Sequence, residues 1–148
     1  MAGQFEATTE IDRPIEEVFA FLADGENDPK FSPRVQEIAK LTDGPTAVGT
    51  VYASTVKDAG MTSKREFRIT EFEPSTKIRW TELSKNLVTA TEGGYDLTPA
   101  AEGTTRLRIF NVLEGHGAGK LIAGLALRAA RKDADAFAAR IKKAVEAG

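Results

Sequence analysis

Hydrophobic and polar positions alternate through most of the first three quarters of the chain, and this period gives way to a helical one at each of two places. Phe5, Ala7, Thr9 and Ile11 fall on one side of an extended stretch, with Glu6, Thr8 and Glu10 on the other. A half-buried strand with a solvated acidic face has this pattern. Asp12-Arg13-Pro14 ends it and starts a helix, because Pro suits a first turn and Glu16 and Glu17 complement the positive end of the helix dipole. Ile15, Val18, Phe19 and Leu22 form the apolar stripe of that helix. A polar, proline-punctuated link, 24–33, follows; it predicts one more helical turn near Asn27–Phe31, with Phe31 tucked back onto the core.

Six further strands are predicted at about 35–41, 48–57, 62–73, 77–83, 87–97 and 104–113, separated by turn signals such as Asp43-Gly44-Pro45 and Glu73-Pro74-Ser75. Links this short join antiparallel neighbours, so the strands form a meander. Gly93-Gly94 predicts a bulge or sharp bend in its strand. A long helix, Gly115 to Ala147, closes the chain, and the natural packing is a curved sheet laid against it. The result is an α+β fold, with seven antiparallel strands, two short helices between the first and second, and the first and last strands bracketing the last helix.

The long helix has two unlike halves. Phe137, Ile141, Ala144 and Val145 make an ordinary amphipathic stripe. In the earlier half Leu121, Ile122, Leu125, Ala126, Leu127 and Ala129 surround most of the circumference, and Lys120 and Arg128 are the charges among them. A helix apolar nearly all round needs cover on more than one side. That cover is either the sheet and a neighbouring loop, or a ligand or partner on the remaining arc.

The order of elements, with Ile11-Asp12-Arg13-Pro14-Ile15-Glu16-Glu17-Val18-Phe19, Phe31-Ser32-Pro33, Phe67-Arg68-Ile69-Thr70-Glu71-Phe72-Glu73-Pro74 and Ala126-Leu127-Arg128, resembles the helix-grip proteins of the START-like and Bet v 1-like superfamily (SRPBCC), above all their bacterial polyketide cyclase-like branch. The resemblance covers nearly the whole chain. It implies a single helix-grip domain over 1–148 and a hydrophobic cavity between sheet and last helix, which different members use to carry lipids, hormones or aromatic polyketides. Other members are protein regulators. The family has no universal catalytic residue, so none is carried over.

Composition narrows the chemistry. The 148 residues suit one domain, and 20 basic residues against 22 acidic ones, in no long block of either sign, point away from a nucleic-acid groove or a polybasic membrane anchor. With no cysteine and one histidine, disulfides, thiolate chemistry and multi-His metal sites are excluded, and no cofactor is expected. No apolar run approaches a membrane span and the N-terminus has no signal-peptide pattern, so a cytoplasmic protein without stable membrane insertion is expected.

The candidate binding residues are Phe67, Trp80 and Tyr95, the large aromatics on or near the concave face, with Leu121, Ile122 and Leu125 of the helix. Plain core packing is the competing reading for each. Asn111 and Glu82 alternate in register with apolar neighbours, so they must meet water, each other, the helix or a ligand, since an unpaired buried polar group costs about 1–3 kcal/mol. Glu82 also escapes burial if its strand ends there. Thr89 and His116 are further polar candidates, His116 as a solvated corner residue or as an acid or base at the cavity mouth. Gly115-His116-Gly117-Ala118-Gly119-Lys120 fails as a phosphate loop: Glu114 stands where the first glycine belongs and Leu121 where a Ser or Thr would follow the lysine.

Three functions follow: binding or carriage of a small lipid-like or aromatic polyketide-like molecule; a cyclase or dehydratase using the same space; or a protein-interaction module using the apolar first half of the last helix.

Overall fold

The computed structural model describes residues 2–58 and 60–148. Seven strands, β1 (Ala2–Ile11), β2 (Val35–Lys40), β3 (Val51–Asp58), β4 (Met61–Glu73), β5 (Lys77–Glu82), β6 (Val88–Pro99) and β7 (Thr105–Gly115), form one antiparallel sheet in the order β1-β7-β6-β5-β4-β3-β2. Helix α1 (Ile15–Ala23) and a 3-10 segment (Gly25–Lys30) lie between β1 and β2, and α2 (Gly119–Glu146) closes the chain. The expected meander and helix grip are therefore present. The sheet closes from β2 back to β7 through hairpins, and β1 pairs with β7 over its whole length, from Ala2 opposite Glu114 to Ile11 opposite Thr105.

Besides a register shift between Val35 and Glu37 at the start of β2, two bulges set which side chains of the central strands face inward. One lies between Ile69 and Glu71, so that Ile69 and Phe72 both reach the core although they are three residues apart. The other lies between Ala90 and Glu92. The expected distortion in β6 thus falls before the glycines, and Gly93 has a different task. It pairs with Trp80 on one side and Asn111 on the other. A Cβ there would collide with both the Trp80 indole nitrogen and Asn111 Oδ1, so only glycine lets these two side chains meet across the strand.

Helix α2 lies across β1 and β7. Its buried positions are Gly119, Ala123, Leu127, Ala134, Ala138, Ile141 and Val145, small residues wherever the helix approaches closely. Leu127 sits on Gly3, and Gly119 packs on the Leu87 backbone, where neither glycine has room for a Cβ. The helix begins at Gly119 rather than Gly115; Gly117, at φ 57°, turns the chain in a left-handed conformation between strand and helix.

One end of the grip is latched. Asp12 N–H donates to Glu146 Oε2 at 2.8 Å, Arg13 donates to the Glu146 carbonyl, and Thr105 Oγ1 donates to the Arg13 carbonyl at 2.9 Å. Toward this end the core is solid: Ile11, Val18, Leu97, Leu107, Ile109 and Ile141 are buried, and Phe19 meets Phe72 edge-on at 5.2 Å. Phe31 is buried between Phe21 and Phe137, as its isolation in a polar segment predicted. Arg140 ties that contact down by donating to the Phe31 carbonyl at 3.1 Å and to Asp133 at 2.8 Å.

Candidate functional site

The alternation of each strand puts Phe5, Phe67, Trp80, Asn111 and Leu113 on the concave face at the end opposite the latch, and all five are half-buried. Burial on this one face thus declines from the latched end to the open end. Here the Trp80 indole N–H donates to Asn111 Oδ1 at 3.1 Å above Gly93, and the Trp80 ring meets Tyr95 edge-on at 5.0 Å.

The structure adds a residue that the sequence pattern did not single out. Asp28, in the 3-10 segment, brings its carboxyl within electrostatic reach of Tyr95. Desolvation, and then the nearby Asp24 charge, push its pKa up from 3.8 to about 7. The residue keeps some water contact, but its carboxyl is set deep in the protein. Burial, and then the Asp28 charge, push the Tyr95 phenol well above its ordinary value. Asp28 lies in a loop without periodicity, so only the folded chain shows where it points.

Three polar groups around this space have no hydrogen-bond partner among the described residues: the Asp28 carboxyl, the Tyr95 hydroxyl and the Asn111 amide nitrogen. Among the described residues no buried side-chain nitrogen or oxygen is left unpaired, so each of the three groups keeps some contact with solvent. Asn111 is bonded to the Trp80 indole, the Trp80 ring meets Tyr95, and Tyr95 lies within electrostatic reach of Asp28. Such an arrangement accepts a flat apolar molecule carrying oxygen atoms: the rings supply contact area, and the three groups supply one acid and two neutral hydrogen-bonding partners.

Glu82 lies on the same face opposite Phe67, and the other expected residues fall elsewhere. Glu82 is buried at its strand end, and its carboxylate is fully engaged: Arg65 Nη1 donates to both oxygens at 3.0 and 3.2 Å, Ser84 Oγ donates at 2.5 Å, Asn86 Nδ2 at 2.8 Å and the Ala90 N–H at 2.9 Å. It is a structural ion pair that fixes the β5–β6 turn, which corrects the expectation that it escapes burial. Thr89 and His116 pair with each other at 3.2 Å in an exposed position, on the outer side of Ala90, away from the concave face.

Leu121 and Leu125 also part from expectation. Each lies midway between buried residues four apart (Gly119, Ala123 and Leu127), which at 3.6 residues per turn puts them opposite the sheet. They are 75% and 58% exposed. A bulkier side chain at Leu125 would therefore extend into solvent and could not fill the concave space. Ile122, 43% exposed, lies on the flank between these arcs.

Two surface hollows, of about 500 and about 370 Å³, are separate from this face. The first is lined by Ala139, Lys142, Lys143, Glu146 and Ala147 on α2, the second by β2–β4 residues that include Glu37, Lys64 and Glu66 on the outer side of the sheet. Among the described residues no His, Asp or Glu cluster could hold a metal ion, and no helix is long and apolar enough to cross a membrane.

The fold and this concave aromatic face define a helix-grip domain of the START and Bet v 1 superfamily. Residues 2–146 match the model of the family described as "Polyketide cyclase / dehydrase and lipid transport", and the chain belongs to that family. Solved structures agree on the fold. The Zhui aromatase/cyclase of a Streptomyces species superposes with a TM-score of 0.83 at 19% identity, over 99% of this chain and 94% of that one. The di-domain ARO/CYC StfQ from the steffimycin biosynthetic pathway gives 0.76 at 16% identity, over 99% of this chain and 50% of that one. A START superfamily protein from Mycobacterium smegmatis gives 0.68 at 17%, over 97% and 94%. No curated protein matches the chain.

Proposed function

We propose that the domain binds a small hydrophobic molecule, aromatic and oxygen-bearing, against Trp80, Tyr95 and Phe67 at the open end of the grip. The observation that carries this reading is the half-buried aromatic face of Trp80 and Phe67, to which Asn111 is joined through the Trp80 indole and Asp28 through its electrostatic contact with Tyr95. A site filled by packing alone would leave its polar groups paired or absent, because each unmade hydrogen bond is costly. Family membership supports a hydrophobic ligand, lipid-like or polyketide-like, and the aromatase/cyclase neighbours make an aromatic one the first to test.

The test is a thermal-shift screen of flavonoids, polycyclic phenols and fatty acids. A ligand at a hundred times its dissociation constant stabilises the fold by about 2.7 kcal/mol, or about 5–10 °C at this size. Phenols should give the larger shifts, and Tyr95→Phe and Asn111→Leu should reduce them. A screen in which no compound class shifts the melting temperature contradicts the proposal.

One observation favours a second reading, turnover in the same space. A carboxyl with its pKa near 7 is partly protonated and partly ionised at neutral pH, the condition in which one group best exchanges protons with a carbonyl or phenol. In a cyclase or dehydratase Asp28 would be that group, and Asp28→Asn would retain binding of a phenol while abolishing conversion of a linear poly-β-ketone. Equal conversion by both proteins would remove Asp28 from the chemistry.

A further inference from the structure

Among the described residues, eight large apolar side chains are exposed, and six of them, Met61, Leu83, Leu87, Leu121, Ile122 and Leu125, lie at the open end. The strand register gathers them there. The start of β1 pairs with the end of β7, the start of β6 with Gly115, and the end of β5 with β4 at Phe67. Leu87 adjoins the first turn of α2, since its carbonyl accepts from the His116 N–H and its backbone packs on Gly119. The apolar tips thus run from the 83–87 loop onto the outer arc of the helix.

Cations accompany them. From Gly115 to Lys132 there is no acidic residue, although the chain as a whole has a net charge of −2. Arg128 and Lys132 fall on the same helical arc as Leu121 and Leu125, and Lys120 and Lys85 flank it. These residues are scattered in sequence, so no basic block is visible there; the fold collects them. The nearby acids Glu66, Glu92 and Glu114 point to the outer side of the sheet, because they alternate with inward-facing Phe67, Gly93 and Leu113. Neither surface hollow includes any of the six apolar residues. The tips are exposed side chains, 41% to 75% open to solvent. A folded partner or a second copy would need complementary shape, whereas a fluid lipid interface needs only inserted apolar tips and cations for its phosphates.

We infer that the open end docks peripherally on an anionic lipid bilayer: Leu83, Leu87, Leu121 and Leu125 enter the headgroup layer, and Lys85, Lys120, Arg128 and Lys132 meet the lipid phosphates. The mouth of the concave face then opens toward the membrane. Docking does not depend on the ligand proposal, since it uses none of the inward residues.

The experiment is co-sedimentation with vesicles of neutral phosphatidylcholine or of phosphatidylcholine mixed with phosphatidylglycerol. The expected result is binding to the anionic vesicles alone, weakened by salt. Lys120→Ala with Arg128→Ala should reduce it about 25-fold, about fivefold for each charge removed. Leu121→Ser with Leu125→Ser should abolish it with the melting temperature unchanged, because all four side chains are exposed. Failure to bind, or equal binding to both vesicle types, overturns the inference. So does a concentration-dependent dimer in ultracentrifugation that Leu125→Glu dissolves, since a second copy would then cover this surface.

Discussion

Replacing Asp28 by Asn tests the least expected feature of the site, a carboxyl that the fold holds partly protonated at neutral pH. Its pKa lies at about 7 in the folded protein, against 3.8 for the free group. Between these values the folded state binds more protons than the unfolded one, so stability falls as pH rises through this window and levels off above about 7. Full ionisation of the folded protein then costs about 4 kcal/mol, which the residue's remaining water contact lowers to about 2–4 kcal/mol. Asn has nearly the same shape and no charge. Asp28→Asn should therefore be more stable than the parent at pH 8 and gain much less at pH 5, the difference between the two gains being about 1.5–2.5 kcal/mol, or about 3–10 °C in melting temperature. Circular-dichroism melts of the two proteins from pH 4.5 to 8.5, at constant ionic strength, give the comparison, and since every other group is shared the difference isolates Asp28. A gap that does not change with pH, or one that widens toward acid, refutes the reasoning.

Three further outcomes follow from the packing. Gly93→Ala places a methyl group between Trp80 and Asn111 and breaks their hydrogen bond; overpacking and the lost bond together should cost about 2–4 kcal/mol by urea denaturation, and a cost under about 0.5 kcal/mol would show that the pair can separate freely. Arg65→Ala strands the buried Glu82 carboxylate and should cost about 3–5 kcal/mol, most of it recovered in the double variant Arg65→Ala/Glu82→Leu; additive losses would mean that the pair is not coupled. Asp133→Leu should change stability by less than about 0.5 kcal/mol, since its ion pair with Arg140 is water-exposed. Arg140→Leu should cost about 1 kcal/mol through the Phe31 carbonyl, and equal effects from the two variants would contradict the anchoring role of Arg140.

The fold was legible because its determinants are local. Phe5 to Ile11 alternate, the turns carry Gly, Pro, Asn and Asp, and α1 shows one apolar stripe, so element type and strand order followed from period and loop length. The bulges near Val35 and Ile69 were not legible, because each adds one residue to an otherwise regular alternation. Gly93-Gly94 signalled an irregularity whose cause was mistaken: the glycine makes room for two side chains from neighbouring strands, and those neighbours are fixed only by the register. In the site, Trp80, Tyr95 and Asn111 could be read from strand parity. Asp28 could not, since a carboxylate in a polar segment looks solvated until the fold buries it. The first half of α2 is apolar all round, which implies cover on every side; the sheet covers the arc of Gly119, Ala123 and Leu127 and leaves Leu121 and Leu125 bare.

The central claim is that the concave space around Trp80 receives a ligand, and the chain's one tryptophan makes it directly measurable. In a ¹⁵N-labelled sample a single indole N–H resonance reports the hydrogen bond from Trp80 Nε1 to Asn111 Oδ1 at 3.1 Å. Titration with the strongest phenol from the thermal screen should move this resonance saturably, along the same isotherm as the backbone amides of Tyr95 and Gly93. If that compound binds while the indole resonance stays fixed and only amides near Leu121 and Leu125 move, the ligand lies on the outside of the helix and the concave face is not the binding site.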